Sequence, residues 1–164
     1  MKSIEDIYKL IEKENIIYEE KNLSKFNSKG IYLEVDELKV IAIDESIINK
    51  HCTYISIMAE ELGHYFTTTG NLIEPSKNYM EKIIKSKKEL LARKWAANYL
   101  ISDEEFVQAL LNCINNKDDF CNYFNITYEV LENKIRSIAL NEEKFNLIKS
   151  KLREYEIQFN SCTI

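Results

Sequence analysis

The near absence of helix-breaking residues is the feature that most constrains how this chain can fold. Its 164 residues include only three Gly and one Pro, the two residue types that punctuate turn-rich structures most strongly. Their scarcity favours long helices over a β fold with many turns. Apolar residues make up 45% of the sequence, which is enough for a buried core. We therefore predict a single, mainly helical domain over residues 1–164.

The pattern of apolar residues adds a small sheet to these helices, which predicts an α+β fold. A first helix is predicted over residues 3–14, and two long helices over about 47–68 and about 78–101. Gly70 is a natural stop for the first long helix, and Pro75 marks the loop that follows it. About three short strands are predicted before the first long helix, antiparallel where the turns allow it. The β-prone runs are Ile16-Ile17-Tyr18, Ile31-Tyr32-Leu33 and Val40-Ile41-Ala42-Ile43, with a turn at Asn27-Ser28-Lys29-Gly30.

We predict a C-terminal helical subdomain over residues 102–164, after a core of residues 1–101. Ser102-Asp103-Glu104-Glu105 has the form of a capping box, in which the Ser and the second Glu satisfy the first N–H groups of a helix. We expect that helix over residues 103–114. The remaining segment is charged and helical, with apolar residues at regular spacing at Val130, Leu131, Ile135 and Ile138.

Charge and cysteine usage narrow the classes of function. The net charge is −5, whereas a nonspecific nucleic-acid binder needs an excess of Lys and Arg. We interpret the basic cluster that contains Lys85 and Arg93 as a solvated helix face. We find no N-terminal signal segment and no apolar run of the roughly eighteen residues that a membrane helix needs. The four Cys form no C-x-x-C pair, so we expect free thiols in a cytoplasmic protein without nucleic-acid or membrane partners.

Three ionisable side chains crowd the edge of the apolar face of the first long helix. On a helical wheel, Glu60 and His64 lie one turn apart and Glu61 falls within the apolar arc. A buried carboxylate without a partner costs several kcal/mol, so this placement favours a bound cation. Ligands at i and i+4 can hold one ion while the residue after the first ligand contacts its water, as in the H-E-x-x-H zinc motif. Here Glu60 takes the first position.

Glu89 is the candidate for a third ligand. It shares one stripe of the second long helix with Ala92, Ala96 and Leu100, so it faces inward, and the alanines permit a close approach of the two helices. Three protein ligands would leave a fourth position of zinc for water. The alternative without a metal is a Glu–His pair on a solvated helix, because E-E-x-x-H arises easily by chance in an acidic chain.

Two segments together resemble the ImmA/IrrE metallo-endopeptidases. Residues 58–68 (MAEELGHYFTT) are similar to that family's A-H-E-[LIF]-G-H-[YF] zinc helix, and residues 89–101 (ELLARKWAANYLI) to its E-x-x-A-x-x-[FW]-A-x-x-L-[LI] segment. The resemblance covers roughly residues 1–140. It implies the metal ligands Glu60, His64 and Glu89 and the general base Glu61. Zn²⁺ is the implied cofactor, and two carboxylates would tolerate Mn²⁺ better than the usual ligand set does. Tyr65 could stabilise an oxyanion, with packing as its alternative role.

The function implied by the resemblance is peptide-bond hydrolysis. Family members of this size typically cleave a helix-turn-helix repressor of a prophage or mobile element, so such a repressor is the expected partner. Glu60 stands where the family has His, which leaves open a catalytically weak or inactive regulator that binds the repressor. A third interpretation is a DNA-binding protein that uses the C-terminal helices. Residues 124–136 resemble the family's closing segment, but their acidic surroundings favour packing.

Overall fold

The computed structural model of the protein describes residues 2–68 and 78–154. Within these ranges the fold is α+β and mainly helical, with seven α-helices and one three-stranded sheet, so the predicted fold class is confirmed. The helices are α1 (Ile4–Lys13), α2 (His51–Thr67), α3 (Tyr79–Leu100), α4 (Asp103–Leu111), α5 (Lys117–Phe124), α6 (Tyr128–Ala139) and α7 (Glu142–Glu154). The strands are β1 (Ile17–Lys21), β2 (Gly30–Val35) and β3 (Leu38–Asp44).

The sheet is mixed, with the strand order β1-β3-β2. β2 pairs antiparallel with β3, with Tyr32 opposite Ile41, whereas β1 runs parallel to β3. The antiparallel expectation is therefore wrong for β1. The backbone N–H of Leu23, just after β1, donates to the carboxylate of Asp44 at the end of β3, at 2.7 Å. This bond holds the C-terminal ends of both strands side by side, and β2 is left as an edge strand beside α2.

The turn between β2 and β3 consists of Asp36 and Glu37, which have φ values of 48° and 70°. Positive φ at both central residues is typical of a type I′ hairpin, whose twist matches that of the flanking strands. The turn contains no Gly, so its composition does not predict it. The segment 27–30, where a turn is predicted, leads into β2 as expected, and its residues line the cleft described below.

The two long helices agree closely with their predicted ranges at three of the four ends. α3 lies within one residue of the predicted limits at both ends, and the Asn78 side chain caps its first turn. α2 begins at His51 and not near 47, because Asp44 caps a separate 3₁₀ turn at Glu45–Ile47. The expected stop at Gly70 and the loop around Pro75 lie outside the described residues, as do residues 155–164 of the C-terminal prediction.

The predicted capping box at Ser102 is confirmed, and α4 follows it. α4 ends at Leu111 and not at 114, because the chain turns into a left-handed conformation at Cys113, where φ is 59°. Cys52 and Cys121 are free thiols. Cys113 is disulfide-bonded, so the expectation of free thiols is wrong for it; spacing along the sequence does not reveal which sulfurs are close in space. No helix in the described ranges is long and apolar enough to cross a bilayer.

α2 and α3 pack against each other with their backbones in close contact. A Cβ atom at Gly63 would clash with the carbonyl oxygen of Ala92, so only glycine fits at this position of α2. On α3, Ala92, Ala96 and Ala97 are all buried. Because the distance between packed helices depends on the side chains at their contact, these small residues hold the inner faces of both helices together.

A buried lysine ties the C-terminal helices to α3. The Lys134 side chain is only 1% exposed, and its ammonium donates to Asp103 at 2.6 Å and to the side-chain oxygen of Asn98 at 3.0 Å. Lys144 binds the other carboxylate oxygen of Asp103 at 2.8 Å. Partial burial raises the pKa of Asp103, but the hydrogen bonds from the two lysines outweigh it, and the pKa lies below its ordinary value. The network joins α3, α4, α6 and α7.

Replacing Asp103 should destabilise the protein more than replacing Lys134. Asp103→Asn leaves the buried Lys134 ammonium without its counter-charge, so we expect the free energy of unfolding at pH 7 to fall by about 3 kcal/mol. Lys134→Met removes the buried charge and keeps most of the volume, so we expect a loss of about 1 kcal/mol. Urea unfolding measures both, and equal losses would contradict this account.

The effect of Asp103→Asn on stability should depend on pH. Since the pKa of Asp103 is lowered by folding, its stabilising contribution is present above the ordinary value of 3.8 and is lost as the pH falls through the lower, folded-state pKa. The difference in unfolding free energy between the wild type and Asp103→Asn should therefore shrink below pH 3.8. A difference that stays constant down to acid unfolding would show that the carboxylate charge is not responsible.

Candidate metal centre

α2 brings three ionisable side chains to one side of a cleft. Glu60 and His64 stand on successive turns of the helix, and Glu61 lies beside them. His64 and Glu61 are buried, at 5% and 6% exposure, and Glu60 is partly buried. The cleft has a volume of about 440 Å³ and is lined by residues of α2 and α3, by the segment 26–32 that leads into β2, and by Glu129 of α6.

Glu89 of α3 completes a cluster of three potential ligands. Its Oε2 atom lies 3.5 Å from Nε2 of His64. One ligand atom from each of Glu60, His64 and Glu89 lies within 4.8 Å of the other two. The hydrogen bond to His64 is the main cause that lowers the pKa of Glu89, which favours the carboxylate form that a metal requires. The structure thus brings the three residues predicted as ligands to one place.

The donor set fits a divalent ion of the size of zinc. Ligand atoms about 2.0–2.2 Å from a tetrahedral ion are about 3.3–3.6 Å apart, and the His64–Glu89 separation has this value. The widest pair lies within 4.8 Å, so side-chain rotation alone can close the set. One imidazole and two carboxylates are donors that zinc accepts, and the carboxylates also suit manganese. Nε2 of His64 is the nitrogen that faces Glu89; the other ring nitrogen, Nδ1, is buried and has no hydrogen-bond partner within the described ranges.

The environment of Glu61 suits proton transfer. Its burial, followed by the nearby carboxylates of Glu60 and Glu89, raises its pKa well above the ordinary value of 4.5. The backbone N–H of Tyr32 in β2 hydrogen-bonds this carboxyl and opposes the rise in pKa. A carboxyl group with a raised pKa can take up a proton and release it again near neutral pH. Glu61 therefore has the properties of a general base, next to the ligand cluster.

Gly30 makes room for the Glu61 carboxyl. A Cβ atom at position 30 would lie 2.6 Å from Oε1 of Glu61 and 2.5 Å from a methyl group of Ile57. Any other residue would therefore displace the carboxyl group. Sequence reasoning placed Gly30 only in a turn. Its position at the start of a strand was the signal of a close approach, since Gly in a strand often marks such a contact.

Arg93 is part of the site, so its interpretation as a member of a solvated helix face is wrong. Its Nε donates to Oε1 of Glu60 at 3.0 Å, and its Nη1 lies 2.7 Å from Oε1 of Glu129 in α6. Burial raises the pKa of Glu60, and the Arg93 charge partly opposes this rise. Lys85 of the same basic cluster also lines the cleft. The available signal was spacing, because Arg93 lies one helical turn after Glu89 and shares its face.

Tyr65 lies outside this arrangement. Its hydroxyl donates to Glu14 at 2.8 Å and accepts from Lys39 at 3.3 Å, and its ring packs edge-on against Tyr32. It is not among the residues that line the cleft. The structure places Tyr65 in a packing role between α1, α2 and the sheet, which was the alternative to an oxyanion role.

The sequence model of the IrrE N-terminal-like domain, Peptidase M78, matches residues 11–136. The chain belongs to this family. The resemblance inferred from the two motifs is thereby confirmed, and M78 is a metallopeptidase family whose fold implies a divalent metal, usually zinc. The matched range contains the ligand cluster and Glu61, and it ends within α6. No curated protein and no solved structure gives a significant match to the chain.

The contact at Gly63 should control the site as well as the stability. Gly63→Ala pushes α2 away from α3, so we expect a loss of about 1–3 kcal/mol in unfolding free energy and weaker zinc binding, since the two helices carry different members of the candidate ligand set. Ala96→Gly on the same interface is the control: it costs up to about 1 kcal/mol in helix propensity and should leave zinc affinity unchanged. Urea unfolding and zinc titration test this, and unchanged zinc affinity in Gly63→Ala would refute it.

Proposed function

We propose that this M78-family protein is a zinc-dependent endopeptidase with Glu60, His64 and Glu89 as metal ligands and Glu61 as general base. The observation that carries the proposal is the convergence of three ligand atoms within 4.8 Å, next to a buried carboxyl with a raised pKa. Three ligands leave room for water and substrate at the ion, as in hydrolytic zinc sites. The adjoining carboxyl supplies the proton acceptor that hydrolysis requires.

The residues of the site divide the work of hydrolysis among them. When bound, a divalent ion supplies Lewis-acid polarisation of the scissile carbonyl and lowers the pKa of a water molecule. Glu61 accepts the proton of the attacking water and then donates it to the leaving amine. The Tyr32 N–H and the space left by Gly30 keep this carboxyl in position.

β2 offers an extended peptide a place to bind. It is an edge strand of the sheet, and its first residues, 30–32, line the cleft. A peptide can add to such an edge through main-chain hydrogen bonds, with its side chains alternating between the two faces. Phe26 and Ile57 add apolar surface to the same cleft. These features support a polypeptide as the substrate.

We propose a helix-turn-helix repressor of a prophage or mobile element as that substrate, cleaved in the cytoplasm without direct binding of this protein to nucleic acid. The family resemblance supports this partner. So does charge: the chain has a net charge of −5 and the cleft is lined by the carboxylates of Glu60, Glu61, Glu89 and Glu129. DNA-binding proteins carry an excess of basic residues, and opposite charges speed the encounter of two proteins.

Glu61→Gln tests the assignment of the base. The variant keeps the size of the side chain, so we expect wild-type zinc content, and it cannot accept a proton, so cleavage should fall by about 10²–10⁴-fold or more. The assay incubates purified protein with repressors encoded beside its gene and detects fragments by mass spectrometry. Glu12→Gln, an exposed change on α1, is the matched control and should cleave normally. Undiminished cleavage by Glu61→Gln would exclude this residue as the base.

A catalytically weak or inactive regulator that binds the repressor is the second candidate. The glutamate at position 60 favours it, because the family's zinc motif has histidine there. Such a regulator keeps the fold with or without a metal, whereas the peptidase requires a stoichiometric ion, so a protein that binds no metal at any pH would support the regulator.

Metal content separates the two candidates. We expect about one zinc per chain in protein purified without added metal, measured by elemental analysis. We also expect chelation to lower the melting temperature, since a ligand at 100 times its Kd stabilises the native state by about 2.7 kcal/mol. His64→Ala is the control: it should contain no zinc and should show no change on chelation. A wild-type protein that is metal-free at every pH would support the regulator.

A further inference from the structure

The carboxylate of Glu60 is held by a side chain of the protein itself. Oε1 of Glu60 accepts a hydrogen bond from Nε of Arg93 at 3.0 Å, and Oε2 is the oxygen not engaged by this bond. Arg93 lies one turn after Glu89 on α3, so its guanidinium reaches Glu60 across the contact between the two helices. The first ligand on α2 is therefore linked to the helix that carries the third.

The guanidinium is itself anchored on its other side. Nη1 of Arg93 lies 2.7 Å from Oε1 of Glu129 in α6. Because the guanidinium is planar and its N–H groups point in fixed directions, two carboxylates that bind different edges determine its orientation. A lysine ammonium has the same charge but no such fork. The chain Glu129–Arg93–Glu60 thus restrains the direction in which Glu60 presents its second oxygen.

The positive charge of Arg93 balances the extra negative charge that glutamate brings to position 60. Two carboxylates and one imidazole carry two negative charges, whereas the two imidazoles and one carboxylate of the usual motif carry one. A guanidinium bonded to the extra carboxylate restores the net charge of the usual ligand set. Without it, the carboxylates of Glu60, Glu61, Glu89 and Glu129 would repel one another around the cleft that they share, and Glu60 would rotate away from the cluster.

We propose that Arg93 is a positioning residue that allows Glu60 to serve as the first metal ligand, and that Glu129 holds Arg93 in place. This inference rests on the proposed function, since it requires a metal at Glu60, His64 and Glu89. Hydrogen-bond partners of ligands typically contribute 10–100-fold in metal affinity. The positive charge of Arg93 also repels the ion, but this charge acts on the ion through the bonded oxygen of Glu60. The gain from orienting Glu60 and from reducing the repulsion among the carboxylates is larger than this effect.

A double-mutant cycle on zinc affinity tests the proposal. The full-length wild type, Arg93→Gln, Glu60→His and the double variant are titrated in competition with a chromophoric chelator, at one pH and ionic strength. We expect Arg93→Gln to weaken zinc binding by about 10–100-fold when residue 60 is glutamate. In the Glu60→His background the same change should alter affinity by less than about threefold, because a neutral imidazole needs neither the charge nor the hydrogen bond.

Cobalt absorption and a conservative variant separate positioning from a purely structural role. Arg93→Gln should alter the visible spectrum of the Co²⁺-loaded protein only when residue 60 is glutamate, because only then does the ligand set change. Arg93→Lys keeps the charge without the fork, so it should restore part of the lost affinity. If Arg93→Gln does not fold, Arg93→Lys takes its place in the cycle, with a smaller loss that still depends on Glu60.

The outcomes distinguish this inference from the proposed function. An equal change of zinc affinity in both backgrounds, or tighter binding by Arg93→Gln when Glu60 is present, would overturn the role of Arg93 and leave the peptidase proposal intact. A wild-type protein that binds no zinc would overturn both.

Discussion

Gly63 lets the backbone of α2 touch that of α3 at Ala92, and the ligand cluster depends on this contact. Ligands of one ion must come within a few ångströms of one another, and the three candidate ligands here belong to two helices. Glu60 and His64 belong to α2 and Glu89 to α3, so the separation of the helices sets the distance between donors. A side chain at position 63 would widen it and weaken the binding of an ion shared by the two helices.

Glu61 also depends on a close contact that requires glycine, on the opposite wall of the cleft. Gly30 leaves the space that the carboxyl occupies, and the Tyr32 N–H holds it there. The result is a group of carboxylates in close proximity, partly out of water, which is unfavourable for folding unless cations oppose it. Arg93 opposes it within the protein. Sites of this kind are destabilising for a fold, and the rest of the molecule must compensate.

Periodicity along the chain was sufficient to predict α2, α3 and the inward position of Glu89, because these depend on residues close in sequence. The parallel pairing of β1 was not predictable, since it goes together with a bond between Leu23 and Asp44, which are distant in the chain. Gly30 and Arg93 were missed for a related reason. Their roles arise from contacts with Glu61 and Glu60, on elements distant in the chain. The Asp36-Glu37 turn lacked a compositional signal because both residues adopt a conformation that glycine usually provides.

The salt-bridge network of Lys134 bears on how such a protein can change over evolutionary time. Asn98 and Asp103 receive the same buried ammonium from α6, and α6 also supplies Glu129 to Arg93. Replacing the last helices by an unrelated module would leave Asp103 without its two lysine partners and release the guanidinium beside Glu60. Recombination at this boundary is therefore penalised. The outer faces of α5, α6 and α7 remain free to vary, provided that their inner residues are inherited together with α2 and α3.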